Sequence, residues 1–373
     1  MSHSVSIGII GCGRVAQNAY MPLVMSLMTN GSVSSVSGAD IDPERRAEMQ
    51  EKFPMRRVYD DPADLLADRE IDVVLVLTSM REHGDLAIAA LQAGKHVLVE
   101  KPMATTREQA TELLRTAEAA PGHLVCAPHV MLSPDYQEMY RIISSGGVGR
   151  PLLARSRYGW DGPDWGRWVY APGGGPLFDL GGYNVTSLTG LLGPVTRVTA
   201  VSALTRPQRI VDGERIDVQT DDTFQIVLQH EQGALSTVTT AFGIQRYRGA
   251  ALEVYGLEGT VQMLGDDWAP AGLEYWSNDI GTWQLIDTTS AYWPWTDGLS
   301  HLVECILTGQ TPYTRPEHAF HVLDIMLAAM TAAETGTTQD VHSTFAPPAP
   351  QAGGSRADAH RVHDRTHEDS RTH

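Results

Sequence analysis

The chemistry-bearing residues begin with Gly11-Cys12-Gly13-Arg14-Val15-Ala16, directly after the apolar run Val5–Ile10. In such a turn the first glycine allows the reversal and the second lets a pyrophosphate approach the backbone. A small residue at the third place lets helix and strand pack closely. The helix that follows offers free N–H groups and the positive end of its dipole to an anion. Gly11, Cys12, Gly13, Arg14 and Val15 are therefore the expected dinucleotide cradle. Asp40 closes the next strand-like run, Val33–Ala39. A carboxylate there accepts the ribose hydroxyls and repels a 2′-phosphate, which favours NAD, while Arg45 and Arg46 keep NADP open. The other reading of Asp40 is a solvated turn residue ahead of the helix start at Asp42-Pro43.

Two later blocks carry ionisable side chains. Glu100-Lys101-Pro102 follows the apolar run His96–Val99, at the carboxyl end of a strand, where ligands bind in open α/β sheets. A lysine there can hold a substrate hydroxyl or a developing alkoxide, or simply face solvent. In the stretch from Gly173-Gly174-Gly175 to Tyr183, helix over Leu177–Leu192 would set Asp179 and Tyr183 four residues apart on one face. Alone, that pair reads better as a capping aspartate beside a core tyrosine.

The elements that must position these residues fall into two grammars. Over the first third, short apolar strands alternate with helices: Val5–Ile10, Val33–Ala39, Val73–Leu77, His96–Val99 and Leu124–Ala127 are the strands. Pro-bearing helix starts follow Asp42 and Asp61. That alternation predicts a doubly wound parallel sheet covered on both faces. After about Pro128 come one helix (Pro134–Ser144) and a series of strands joined by glycine-containing turns, from Leu152–Tyr158 to Gly272–Trp276. These predict a large, open, mostly antiparallel sheet, with helices returning at Asp297–Leu307 and Pro316–Glu334. The expected domains are 1–127, a Rossmann domain, and 128–345, a substrate-binding and oligomerisation domain whose last helix packs back on the first. Residues 346–373, rich in Pro, Gly, His and charge, read as a disordered tail.

With all three blocks in view, the chain resembles the Gfo/Idh/MocA oxidoreductase family over roughly Ser6 to Val341. The order is specific: the Gly-rich turn, then Thr78-Ser79 with His83, then Glu100-Lys101-Pro102, then the GGG-x-x-x-D-x-G-x-Y block. The resemblance implies NAD(P)-dependent oxidation or reduction of sugars, cyclitols and related alcohols. It adds Thr78, His83, Glu100 and Lys101 to the cofactor set. It also implies that Lys101 and Asp179 face the substrate and that Tyr183 handles the proton. Tyrosine at this last place is more similar to the glucose–fructose oxidoreductase and dihydrodiol dehydrogenase branches than to the inositol dehydrogenases, which carry histidine. Trp160, Trp165 and Trp168, among Asp161, Asp164 and Arg167, suit a pyranose, whose apolar face stacks on indole; packing under a long loop is the alternative. Tyr292-Trp293-Pro294-Trp295 reads as a second aromatic run over the same site. His129 falls where the family places residues beside cofactor or substrate, and equally suits a structural histidine.

A phenol with a pKa near 10 is a poor base at neutral pH. An ammonium about 4 Å away offers on the order of 4 kcal/mol at an effective dielectric of 20, or ~3 pKa units as a ceiling. Lys101 is thus an adequate partner for Tyr183 as acid/base, with Asp179 orienting a substrate hydroxyl. Two other functions fit the fold class: a non-catalytic NAD(P)-binding sensor, and a glycoside-cleaving enzyme that oxidises transiently with retained NAD. The 373-residue chain has a net charge of −17, which argues against nucleic acid. No apolar run is long enough for a membrane helix, and Met1-Ser2-His3-Ser4 does not read as a signal peptide. Three scattered cysteines predict a cytoplasmic protein, and His318, His321 and Asp324, at three-residue spacing on one helix but without a cysteine or further carboxylate nearby, predict no metal site. An open sheet face predicts a homodimer or homotetramer.

Overall fold

The structure is a computed structural model describing residues 4–266, 268–286, 288 and 293–348. The Tyr292 end of the second aromatic run and nearly all of the tail expected at 346–373 lie outside the described residues.

Six parallel strands form the first sheet: β1 (Val5–Ile10), β2 (Val33–Ala39), β3 (Arg57–Tyr59), β4 (Val73–Val76), β5 (His96–Val99) and β6 (Leu124–Cys126). Their order is β3-β2-β1-β4-β5-β6, the doubly wound arrangement. Its direction reverses between β1 and β4, and a crevice opens there at the carboxyl ends of the strands. β1 and β4 are buried at every position, as apolar runs flanked on both faces must be. Between the strands run α1 (Met21–Thr29), α2 (Pro43–Lys52), α3 (Pro62–Ala67), α4 (His83–Gln92) and α5 (Arg107–Ala119). Asp42 and Asp61 cap α2 and α3 by accepting from Glu44 N and Ala63 N.

The second sheet has nine strands: β7 (Pro151–Gly159), β8 (Val195–Ala203), β11 (Thr223–His230), β12 (Leu235–Ala241), β13 (Leu252–Gly256), β14 (Gly259–Asp266), β15 (Ala269–Ser277), β16 (Thr282–Ile286) and β17 (Gln339–Asp340). The hairpin β9 (Gln208–Val211) and β10 (Glu214–Asp217) stands apart as a two-stranded sheet. In the large sheet only β7 and β12 pair in parallel, so it is mostly antiparallel, as expected. One face packs on α6 (Pro134–Ser144), α7 (Gly182–Leu192) and α9 (Pro316–Thr335). The other carries Leu153, Val201, Val227, Leu235, Trp283 and Leu285, all more than a third exposed, among threonines and glutamines. α8 (Gly298–Thr308) returns to the first sheet and packs with α1 and β5. α9 also reaches α5 and β6, and Asp324 on it pairs with Arg107 of α5. No helix among the described residues is long and apolar enough to cross a membrane.

Two helices depart from the expected form in the same way. The helix expected from Arg14 is π-helical over Ala16–Tyr20 before α1 begins, and the one expected from Leu177 is π-helical over Leu177–Gly181 before α7. Each wide turn lies beside residues singled out above, as π segments often do at functional sites.

Candidate active site

The Gly-rich turn expected to cradle a nucleotide is built from backbone. Gly11 has φ 97°, and a Cβ there would lie 2.7 Å from the Leu77 carbonyl oxygen, so glycine is required. A Cβ at Gly13 would meet nothing nearer than Arg45 Nη1 at 4.0 Å, which leaves the turn open on the side a pyrophosphate would approach. Asp40 is fixed by two backbone donors: its Oδ2 accepts from Cys12 N at 2.8 Å and its Oδ1 from Asp42 N at 2.9 Å. Arg45 Nη1 lies 3.8 Å from the same carboxylate, and Arg46 donates to the Asp40 carbonyl. Cys12 lends its backbone; burial and the Asp40 charge push its thiol up to about 12. These residues fit a dinucleotide: an open glycine turn and a carboxylate held at the end of β2.

Thr78 and His83 tie the neighbouring strand ends together. The His83 ring is buried, with Nδ1 2.8 Å from the Pro102 carbonyl and Nε2 3.2 Å from that of Thr78. Burial holds it below the ordinary histidine range. It therefore spans the loops after β4 and β5, and as a neutral ring it can donate to only one of these two carbonyls.

Lys101 leaves the end of β5 and crosses to the second domain. Its Nζ donates to Asp179 Oδ1 at 2.8 Å and to the Asp179 carbonyl at 2.7 Å, and lies 5.4 Å from the centre of the Tyr183 ring. Asp179 sits in the second π segment and Tyr183 in the first turn of α7. The ammonium thus meets a carboxylate 78 positions away in the chain, with the phenol of the same helical segment beside them. Lys101 and Asp179 keep partial access to solvent, whereas Tyr183 is about nine-tenths buried. The Tyr183 ring meets Tyr158 of β7 edge-on at 5.7 Å, and Tyr158 stacks on Trp268 at 6.2 Å.

The other sequence-predicted residues lie in different surroundings. Trp165 sits with its ring 5.5 Å from the Arg14 guanidinium, joining the second domain to the nucleotide turn. A space of about 470 Å³ beside them is bounded by Arg14, Asp164, Trp165, Ile210, Asp212 and Gly213. Trp160 and Trp168 are about two-fifths exposed. His129 is interior: neither ring nitrogen has a partner, and Gly298 lies so close that a Cβ there would stand 2.2 Å from Nδ1. Trp295 packs edge-on against Tyr20 at 6.0 Å.

Three residues near the site were not singled out from sequence. Tyr20, fully buried, donates to Glu100 Oε1 at 2.7 Å. Tyr158 and Trp268 form the aromatic wall beyond Tyr183. Tyr20 and Trp268 lay inside patterns that read as ordinary helix and turn, and only the folded chain brings them to the motifs.

Fold and site together define a two-domain, dinucleotide-dependent oxidoreductase. The profile of the oxidoreductase family with an NAD-binding Rossmann fold matches residues 5–126, and that of the Gfo/Idh/MocA C-terminal domain matches residues 136–262. The chain belongs to the Gfo/Idh/MocA family. It is similar to inositol 2-dehydrogenase 2 of Saccharopolyspora erythraea, 34% identical over 155 residues, which cover 41% of this chain and 44% of that one. The match therefore spans less than half of that relative's length. It is also similar to trans-1,2-dihydrobenzene-1,2-diol dehydrogenase of Mus musculus, 26% identical over 71% of this chain and 76% of that one. Among solved structures, levoglucosan dehydrogenase in complex with NADH shares the fold, with a TM-score of 0.81 at 20% identity over 91% of this chain and all of that one.

Proposed function

We propose that the chain transfers a hydride between NAD and a secondary alcohol or ketone of a sugar, glycoside or related polyol ring. The observation that carries this reading is the meeting of Lys101 from one domain with Asp179 and Tyr183 from the other, beside the carboxyl ends of the strands that bear the cradle. The relatives named above act on cyclic alcohols by their names, which supports the substrate class. Bound NAD would supply the acceptor for the hydride. Gly11, Gly13 and the helix start after them would hold its pyrophosphate, and Asp40 its adenosine ribose, with Arg45 the side chain through which NADP use would enter.

Tyr183 takes the hydroxyl proton in oxidation and returns it in reduction. The Lys101 ammonium attracts the phenolate and the alkoxide alike, and Asp179 holds both that ammonium and a substrate hydroxyl in place. Tyr158 and Trp268 give the ring an apolar wall. The boundary between the two domains falls near Pro128. The open sheet face packs against a second copy, giving a homodimer or homotetramer, and three buried free cysteines suit a cytoplasmic setting.

A panel of sugars, glycosides and cyclitols, with NADH appearance followed by absorbance, tests the activity. Tyr183→Phe and Lys101→Ala should each lower kcat by about a hundredfold or more. Near-wild-type turnover in both would overturn the assignment.

A further inference from the structure

The two π segments grip adjacent residues. Tyr20 ends the first and donates its hydroxyl hydrogen to Glu100 Oε1 at 2.7 Å. Asp179 lies in the second and accepts from Lys101 Nζ at 2.8 Å. Glu100 and Lys101 are consecutive at the end of β5, and Glu100 Oε2 accepts the Lys101 backbone N–H at 3.0 Å. Glu100 is 7% exposed and Tyr20 fully buried. A buried carboxylate with two donors is therefore fixed against the backbone of the lysine that Asp179 holds by its side chain.

We infer that the Tyr20–Glu100 pair is a positioning and charge-setting device for the candidate acid/base. The Glu100 carboxylate opposes ionisation of Tyr183, and the Tyr20 hydroxyl holds that carboxylate in place and moderates its field, so the pair sets the pH at which the phenol gives up its proton. Neither residue touches substrate. The groups around this carboxylate are Tyr20 from the helix after the Gly-rich turn, the Lys101 backbone N–H and His83 from α4; the Tyr20 hydroxyl is coupled in turn to Tyr183, whose ring faces Lys101 and Tyr158. Burial lowers the His83 pKa, and the charged side chains at the site are Glu100, Asp179 and Lys101. The Tyr20 hydroxyl stays protonated, because burial and the Glu100 charge hold it well above the ordinary tyrosine range. It therefore acts as a fixed donor throughout the working pH range. This wide turn also starts just past the Gly-rich turn, so one short segment links the cradle to the base.

The inference rests on the role proposed for Tyr183, and the test separates the two. In the full chain without added nucleotide, Tyr183 is titrated by tyrosinate ultraviolet absorbance, taken as the difference from Tyr183→Phe. Glu100→Gln, isosteric and uncharged, should move the midpoint down by about one pH unit, and Tyr20→Phe, which keeps the charge but strips the hydroxyl dipole that partly offsets it, should move it up by less. The acid limb of kcat/KM for oxidation should move with it. The double variant should add little to Glu100→Gln, because both changes act through one carboxylate. An unmoved midpoint in both single variants, with only thermal stability lowered, overturns the inference and leaves a structural pair. If Tyr20→Phe fails to fold, Glu100→Gln alone decides. A turnover-competent Tyr183→Phe overturns the proposed function itself, a different result from a dead Tyr183→Phe with unshifted Glu100→Gln.

Discussion

His129 shows how an interior can punish a polar side chain. Its ring lies against Gly298, with no hydrogen bond to either nitrogen, and burial pushes it down to about 3. His318 and His321, whose rings hold Thr189, Val195 N and Ser343, are pushed down to about 3 and about 4. All three are neutral when folded, whereas the unfolded chain takes up protons below about pH 6.5. Stability from this source is therefore complete above that pH and drains away as pH falls toward the folded values. By pH 5 each histidine costs about 2 kcal/mol. The thermal midpoint should fall steeply between pH 7 and pH 5. His129→Leu, which removes two unpaired nitrogens, should be at least as stable at pH 7.5 and lose less on acidification. A thermal melt series across that range checks both statements.

At the scale of elements, the turn after β1 is the least forgiving part of the nucleotide cradle. Gly11→Ala would force a Cβ against the Leu77 backbone at a φ that L-residues rarely adopt. Binding of NAD should weaken by tenfold or more, with the second sheet untouched; calorimetric titration with NAD measures it. Such turns are legible because their constraint is local: glycine at positive φ and Asp-Pro ahead of a helix each leave a mark within four residues. β2, β5, β11 and β12 fall where their apolar runs place them for the same reason. The β9–β10 hairpin left a mark too, in Asp212-Gly213 with φ 51° and 77°, but its flanking residues are too polar to read as strands. β3 and β17 are three and two residues long and borrow their strand form from a neighbour. The π segments have no sequence signature of their own. The contact between Tyr20 and Glu100, 80 residues apart, is likewise invisible until the chain folds; Lys101, Asp179 and Tyr183 were found only through the order of their motifs.

For the whole molecule, the question is what covers the open face of the nine-stranded sheet. Leu153 and Leu235 sit opposite each other in neighbouring central strands, each about two-fifths exposed. Apolar side chains spread over many strands in this way match an isologous interface between sheets. Under the proposed homodimer or homotetramer, Leu235→Glu places a carboxylate on this face and should shift the protein toward the monomer in sedimentation velocity, with little change in helix content.

The stacking of Trp165 on Arg14 has a practical consequence. An indole belonging to the second domain lies 5.5 Å from the guanidinium of the residue just past the glycine turn, so a nucleotide in the proposed site should alter that indole's polarity and its quenching, an optical gauge of cofactor occupancy. A tryptophan emission titration, compared with Trp165→Phe, would read nucleotide loading directly, with no substrate present and no turnover required.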